Sequence, residues 1–244
     1  MPRFFVKSDT ITNENIYIVG DDAYHIARSL RMAVGDALTV SDGEGVDYLC
    51  TLTRIRDDEC ECKIESTHPS SAEPKVKVSL FMAFPKGDKL ETVVQKAVEL
   101  GASEITPFES SRCIKRPKAD KVDKQTARLT RIAHEAAKQS GRARLPVVNA
   151  PLSYKEMLAE ATRADLALFC YEDESATSIK TALKSKKYST VSVVIGSEGG
   201  FSPEEARHAR ENGCISVTLG PRILRCETAP DYALSAISYE TELT

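Results

Sequence analysis

From residue 75 onward, short apolar runs alternate with stretches whose apolar positions recur every three or four residues. The runs suit strands buried on both faces, and the wider spacing suits amphipathic helices. Strands are predicted at 76–83, 105–108, 166–170, 191–195 and 214–219. Helices are predicted at 88–100, 124–140, 175–183, 203–212 and 229–242, with another beginning at Ser153. Leu90, Val93, Val94, Ala97 and Val98 make the buried stripe of the first helix, and Leu129, Ile132, Ala133, Ala136 and Ala137 that of the second. Asp88 with Glu91, Ser153 with Glu156, and Ser202 with Pro203 and Glu205 read as helix starts, while Gly101 and Gly141 read as helix ends. Such alternation implies an α/β fold around a parallel sheet.

Residues 1–68 follow another pattern. Short strands at 39–40, 48–53 and 60–64, with turns at Asp42-Gly43-Glu44-Gly45 and Gly35-Asp36, imply a small β-barrel-like domain. One helical piece, 22–31, interrupts it. There His25, Arg28 and Arg31 recur every three residues, which places them on one face, with Ile26 and Leu30 packing opposite. That cationic face suits either RNA phosphates or plain solvated charge. The segment 68–74 holds two prolines among small polar residues, a linker signature that divides the chain into 1–72 and 73–244.

Composition narrows the function. No run is long and apolar enough to span a bilayer, and no leader peptide is read at the start, so a cytoplasmic protein is expected. Seven cysteines are scattered without CxxC pairs near histidine, which implies reduced thiols and no metal. The net charge is only −3, but its distribution is uneven. Residues 1–72 carry 7 basic and 13 acidic side chains, whereas 112–144 carry 11 basic and 3 acidic. That basic block is either an electrostatic footprint for nucleic acid or a solvated loop and helix face.

Two loops carry the candidate chemistry. After the strand at 214–219 comes Gly220-Pro221, then Arg222, Arg225 and Glu227 mixed with Ile223 and Leu224. Charge beside large apolar side chains suits a wall that packs inward and presents arginine to an anionic ligand. The second loop, 196–200, is glycine-rich and joins a strand to a helix, where open α/β sheets bind ligands. Neither loop has the GxGxxG or phosphate-loop pattern, GxSxG is absent, and the four histidines stand apart. A hydrolase would need a nucleophile–base pair that this chain does not offer. What remains, glycines, apolar residues, arginine and glutamate, suits a reaction that depends on positioning. Methyl transfer from S-adenosylmethionine is one. Backbone at Gly196, Gly199 and Gly220 would take the adenine and ribose, and Leu219, Ile223 and Leu224 the apolar surface.

Several blocks, taken in order, carry a resemblance over nearly the whole chain. They are residues 1–5; His25 to Arg31 with Gly35-Asp36; Lys86, Lys89-Leu90-Glu91, Gln95-Lys96-Ala97 and Glu99-Leu100-Gly101; Glu135-Ala136-Ala137 with Gln139-Ser140-Gly141-Arg142; and the loops 195–201 and 219–229. Together they closely resemble the bacterial small-subunit ribosomal RNA uridine N3-methyltransferases of the SPOUT (trefoil-knot) superfamily. The resemblance implies a PUA-like β-barrel RNA-binding domain over 1–72 and a SPOUT methyltransferase domain over 73–244. It also implies a C-terminal segment threaded through a loop, against the usual rule. S-adenosyl-L-methionine would lie bent in the knot, near the interface of a homodimer. The implied substrate is one uridine in the decoding region of 16S rRNA, methylated at N3 in the assembled 30S subunit.

This chain departs from the family at Ser197, where proline is usual, at Cys226, where threonine is usual, and in lacking a tryptophan before the Arg131 helix. The implied catalytic residues are Arg225 and Glu198. Arg225 would position the uracil or stabilise the oxygen charge formed as N3 loses its proton; the other reading is a salt bridge to Glu227. Glu198 would orient Arg225 or the substrate, or serve structure alone. Lys86, Arg116 and Arg142 join His25, Arg28 and Arg31 as RNA-contact candidates, each also readable as surface charge. Ribose 2′-O-methylation and a non-catalytic RNA-binding assembly factor remain the alternatives.

Overall fold

The computed structural model describes residues 1–114 and 119–243. The chain forms two compact units, one of residues 1–73 with 137–145, the other of 74–136 and the chain from 146 onward.

Five strands build the first unit: β1 (Arg3–Phe5), β2 (Asn15–Val19), β3 (Ala37–Ser41), β4 (Val46–Ile55) and β5 (Glu59–Pro69), in the order β1-β3-β4-β5-β2. All pairings are antiparallel except β1 with β3. Period-two alternation sends Ile16 and Ile18, Leu38 and Val40, Cys50 and Leu52, and Cys60 and Cys62 into one core with Phe4 and Ile26. Burial pushes the Cys50 and Cys62 thiols up to about 12, so they act as small hydrophobes rather than nucleophiles. Neither β1 nor β2 was expected, since three to five residues hold too little alternation to declare a strand.

The helical piece differs from its sequence reading. A short α1 (Asp21–Tyr24) widens into a π-helical turn, His25–Ser29. Leu30 N–H donates to the His25 carbonyl at 2.9 Å and Met32 N–H to Ile26 at 3.1 Å, bonds that reach further back than those of an α-helix. The wider turn breaks the three-residue alignment, and Arg31 lies beyond it at φ 52°. His25, Arg28 and Arg31 are exposed but do not share one helical face. Arg28 is held by Asp57, with Nε 2.9 Å from Oδ1. Ile26 is buried while Leu30 is 42% exposed, so only one of the two expected apolar contacts forms.

Residues 137–145 contribute to this unit through polar ties. Lys138 Nζ lies 3.0 Å from Asp22, and Arg142 Nη2 lies 3.0 Å from Glu73. The Glu73 carboxylate also accepts the N–H groups of Ala143 and Arg144, each at 2.9 Å. Arg142 is 3% exposed. Its expected place on an RNA-facing surface is therefore corrected: it neutralises a largely buried carboxylate.

The second unit runs β6 (Lys77–Ala83), α2 (Lys89–Glu99), β7 (Ala102–Glu109), α3 (Val122–Ser140, in this unit up to Ala136), β8 (Val147–Val148), β9 (Leu152–Ser153), α4 (Tyr154–Ala161), β10 (Leu166–Cys170), α5 (Ile179–Leu183), β11 (Thr190–Ile195), α6 (Pro203–Glu211), β12 (Ile215–Val217) and α7 (Ala229–Glu242). Its strands pair in parallel in the order β12-β10-β11-β6-β7-β8, with β9 also on β7. The predicted α2 stripe is buried at all five positions. Capping boxes close at Ser153 with Glu156 and Ser202 with Glu205, but Asp88 makes no side-chain cap. Helix α5 starts four residues later than expected, at Ile179, because Ser178 caps it by accepting from Thr181 N–H at 3.1 Å. Since all strands run the same way, their carboxyl ends share one edge, and the site lies there.

Candidate functional site

Strand β11 sits between β10 and β6, so its following loop, 196–200, meets groups from both neighbours. The loop's base is fixed by Phe201, whose ring centroid lies 4.2 Å from that of Phe169 and 6.3 Å from that of Phe108. The loop itself turns tightly, with Gly200 N–H on the Ser197 carbonyl at 2.9 Å. Two glycines are required by close approach. A Cβ at Gly196 would stand 3.1 Å from Gly200 backbone, and one at Gly200, already at φ 60°, would land on the Glu172 carboxylate. Outside the loop, Arg112 Nη1 donates to the Gly199 carbonyl at 2.9 Å.

On the β6 side the loop is tied by charge. The Glu198 carboxylate accepts the N–H of Lys86 at 3.0 and 3.2 Å and stands 3.2 Å from Lys89 Nζ. Burial would raise the Glu198 carboxyl, but its own and the Lys86 backbone N–H groups, with the Lys89 ammonium, hold it below the usual carboxylate range. Lys89 Nζ also lies 3.1 Å from Glu227 Oε2, and its pKa is raised by these hydrogen bonds to Glu227 and Glu198. Cys226 Sγ donates to the same Glu227 oxygen at 3.2 Å. Burial, aided by that carboxylate, pushes the Cys226 thiol up to about 12.

The Lys89–Glu227 contact describes the second loop's path. β12 lies outside β10, three strand positions from β6, a distance of about 14 Å at the usual spacing. The segment 218–228 must therefore return across the ends of β10 and β11 to bring Glu227 to Lys89. It arches over a cavity of about 610 Å³ lined by Gly196 to Gly200, Leu219 to Glu227, Lys89, Glu172 and the end of β10. Helix α7 then packs on α2, with Asp231 3.3 Å from Lys96.

Every expected cofactor-binding residue, Gly196, Gly199, Leu219, Gly220, Ile223 and Leu224, lines this cavity, as do Glu198 and Arg225. The inward wall is corrected at Ile223. Leu219 and Leu224 are half-buried, but Ile223, on the span of the arch, is 90% exposed. The salt bridge between Arg225 and Glu227 does not form; Glu227 faces Lys89 instead. Among the described residues Arg225 has no acidic partner, and its carbonyl accepts the N–H groups of Thr228, the N-cap residue of α7, and of Ala229, the helix's first residue, each at 2.9 Å. Lys86 enters the site through its backbone, while its side chain is exposed. Arg116 lies outside the described residues. The basic block is partly neutralised, with Arg128 2.8 Å from Glu91 besides the Arg142 and Lys138 pairs.

Lys89, Glu172 and Arg112 were not among the expected site residues. Lys89 carried a usable signal, since it opens the helix after β6, next to the glycine loop of a parallel sheet. Among the described residues no helix is long and apolar enough to cross a membrane, and no cluster of His, Cys, Asp and Glu is placed to hold a metal.

Comparison with known proteins agrees with this architecture. Residues 72–238 match the RNA methyltransferase domain model, and 18–65 the RNA methyltransferase PUA domain model. Ribosomal RNA small subunit methyltransferase E of Bacillus subtilis is 35% identical, over 100% of this chain and 98% of the relative. The protein of the same name from Mesomycoplasma hyopneumoniae is 32% identical, over 96% and 98%. A crystal structure of ribosomal RNA small subunit methyltransferase E from Neisseria gonorrhoeae bound to S-adenosyl methionine superposes with a TM-score of 0.86, at 28% identity over 98% of both chains. This chain belongs to the ribosomal RNA small subunit methyltransferase E family of RNA methyltransferases.

Proposed function

We propose that the protein is an S-adenosylmethionine-dependent methyltransferase that modifies N3 of one uridine in the decoding region of 16S rRNA, in the assembled 30S subunit. The observation that carries this reading is the arched cavity, with Arg225 on its wall and, among the described residues, without an acidic partner. Its volume, about 610 Å³, suits a nucleoside-sized ligand. A Cβ at Gly196 or Gly200 would fill the cradle or strike its lining. The Gly196, Gly199 and Gly220 backbones, with Leu219 and Leu224, would hold the cofactor. When bound, it supplies a methyl group made electrophilic by a sulfonium.

The protein's own part is to hold the uracil and favour its anion. N3 gives up its proton as it gains the methyl group, and negative charge spreads to the flanking oxygens. The Arg225 guanidinium stabilises that charge and sets the ring's orientation. Among the cavity-lining groups, Glu198 and Glu227 are held below the usual carboxylate range, Lys89 is paired with both, and the Cys226 thiol is pushed up to about 12. None of these is set up as a strong base, so the N3 proton would pass to solvent. Glu198 acts by fixing the glycine loop through Lys86 and Lys89.

RNA would be gripped by the exposed Lys86, by His25, Arg28 and Arg31 of the first unit, and by Arg116. The threaded knot, the homodimer and a cytoplasmic location complete this reading. Its test is calorimetric binding of S-adenosylmethionine, followed by transfer of labelled methyl to unmodified 30S subunits and to naked 16S rRNA. Binding with transfer to subunits supports it; binding without transfer to either RNA counts against the substrate.

A further inference from the structure

Three charged groups meet where the arch returns to α2, and their pairing is asymmetric. Lys89 is the only described cation paired with Glu227, at 3.1 Å, and it pairs with Glu198 at 3.2 Å as well. These are two of the three carboxylates that line the cavity with Arg225, Glu227 two residues beyond it and Glu198 on the glycine loop; the third is Glu172. Both line the same cavity as Arg225, yet neither pairs with it. A guanidinium has a planar fork that matches a carboxylate, so Glu227, two residues away on the same loop, would capture Arg225 once Lys89 no longer held it; Glu172 lines the cavity from the end of β10 and does not.

We propose that Lys89 is a positioning residue that keeps Arg225 available to the nucleobase by occupying Glu198 and Glu227. The idea rests on the assignment of Arg225 to the developing oxyanion. Lys89 is well placed for this task. It projects from the first turn of α2, whose buried stripe anchors it in the unit, and its ammonium reaches both loops. The contact with Glu227 joins positions 138 residues apart. Cys226 donates to the oxygen that faces Lys89, so that oxygen is doubly engaged. Without the ammonium, two carboxylates would face one another with no cation between them. The neighbouring Arg225 would answer that charge and leave the uracil without its donor.

The same geometry makes Lys89 more than a loop fastener. A fastener would matter first to cofactor affinity, since both loops line the cofactor cavity. A residue that spares Arg225 should matter first to turnover, because the arginine serves charge that appears only as N3 loses its proton.

The test compares Lys89→Met, Lys89→Arg, Arg225→Ala and Lys89→Met/Glu227→Gln, each measured for S-adenosylmethionine binding by calorimetry and for kcat on 30S subunits. Lys89 is partly exposed and supplies no core packing, so Lys89→Met should fold; Lys89→Gln replaces it if thermal melting shows otherwise. The expected result is a kcat lowered at least about tenfold in Lys89→Met, with a much smaller change in cofactor Kd. Lys89→Arg should keep most of the rate, and removing the Glu227 charge in the double variant should return part of it. Recovery on deleting a second charge is not what a lost fastener would give. Wild-type kcat in Lys89→Met overturns the proposal, as does equal loss of binding and turnover with no recovery in the double variant. If Arg225→Ala turns over normally, the assignment of Arg225 falls, and this inference falls with it.

Discussion

Glu205 and Ser111, 94 residues apart in sequence, are joined by two hydrogen bonds of 2.8 Å, from the serine N–H and hydroxyl to the glutamate carboxylate. The same carboxylate takes the Ser202 N–H at 2.9 Å, and Glu205 is 7% exposed. One buried side chain thus caps α6 and fixes the turn after β7. Glu205→Ala should leave those donors unsatisfied and cost about 1–3 kcal/mol. Urea unfolding at constant m-value measures it.

Gly200 is confined by Glu172. Gly200→Ala forces a side chain into the carboxylate and into a left-handed conformation, a penalty of about 1–2 kcal/mol for the backbone alone. Cofactor affinity should fall about tenfold or more, at 1.4 kcal/mol per decade, with the fold retained. In a Glu172→Ala background the same change should cost less, because the collision is gone while the strain remains. Calorimetric titration of the four proteins with S-adenosylmethionine reads the difference.

Arg142 pairs with Glu73 inside the first unit. Arg142→Ala should strand a largely buried carboxylate and destabilise the protein by about 3–5 kcal/mol. Affinity for RNA measured on the folded fraction should change little. A variant of normal stability with weakened RNA binding would return Arg142 to the surface role that its sequence position suggests.

Asp165 links the strand β10 to the start of β11. Its carboxylate accepts the Ser189 N–H at 2.9 Å, the Ser189 hydroxyl at 2.8 Å and the Thr190 N–H at 3.0 Å, which lower its pKa from 3.8 to about 2. A carboxyl depressed on folding stabilises the native state above its unfolded pKa, and that contribution disappears as pH falls through the folded one. Asp165→Asn should therefore lower Tm at pH 7. The gap from wild type should narrow between pH 4 and 2, as scanning calorimetry across that range would show.

The parts of this fold that were legible in sequence depend on local patterns. Helix α7 has the predicted bounds, the five-residue stripe of α2 is buried as read, and the serine–glutamate starts of α4 and α6 close their capping boxes. The cavity was legible too, because a glycine loop after a buried strand and a mixed apolar–arginine loop are local features. What failed was non-local or hung on one residue of geometry. The π turn at His25 shifts the alignment of His25, Arg28 and Arg31 with no change in composition. Arg142 looks like surface charge until Glu73 is brought beside it. Arg225 has an obvious partner two residues away, and only the path of the arch gives that partner to Lys89.

The chemistry itself is tested most directly by the identity of the modified nucleoside. Unmodified 30S subunits would be incubated with the pure protein and labelled S-adenosylmethionine, the RNA digested, and the labelled nucleoside identified by mass spectrometry. N3-methyluridine is the expected product, at one site per subunit and lost in Arg225→Ala. A ribose-methylated nucleoside would contradict the reading of Arg225 as partner to a uracil anion.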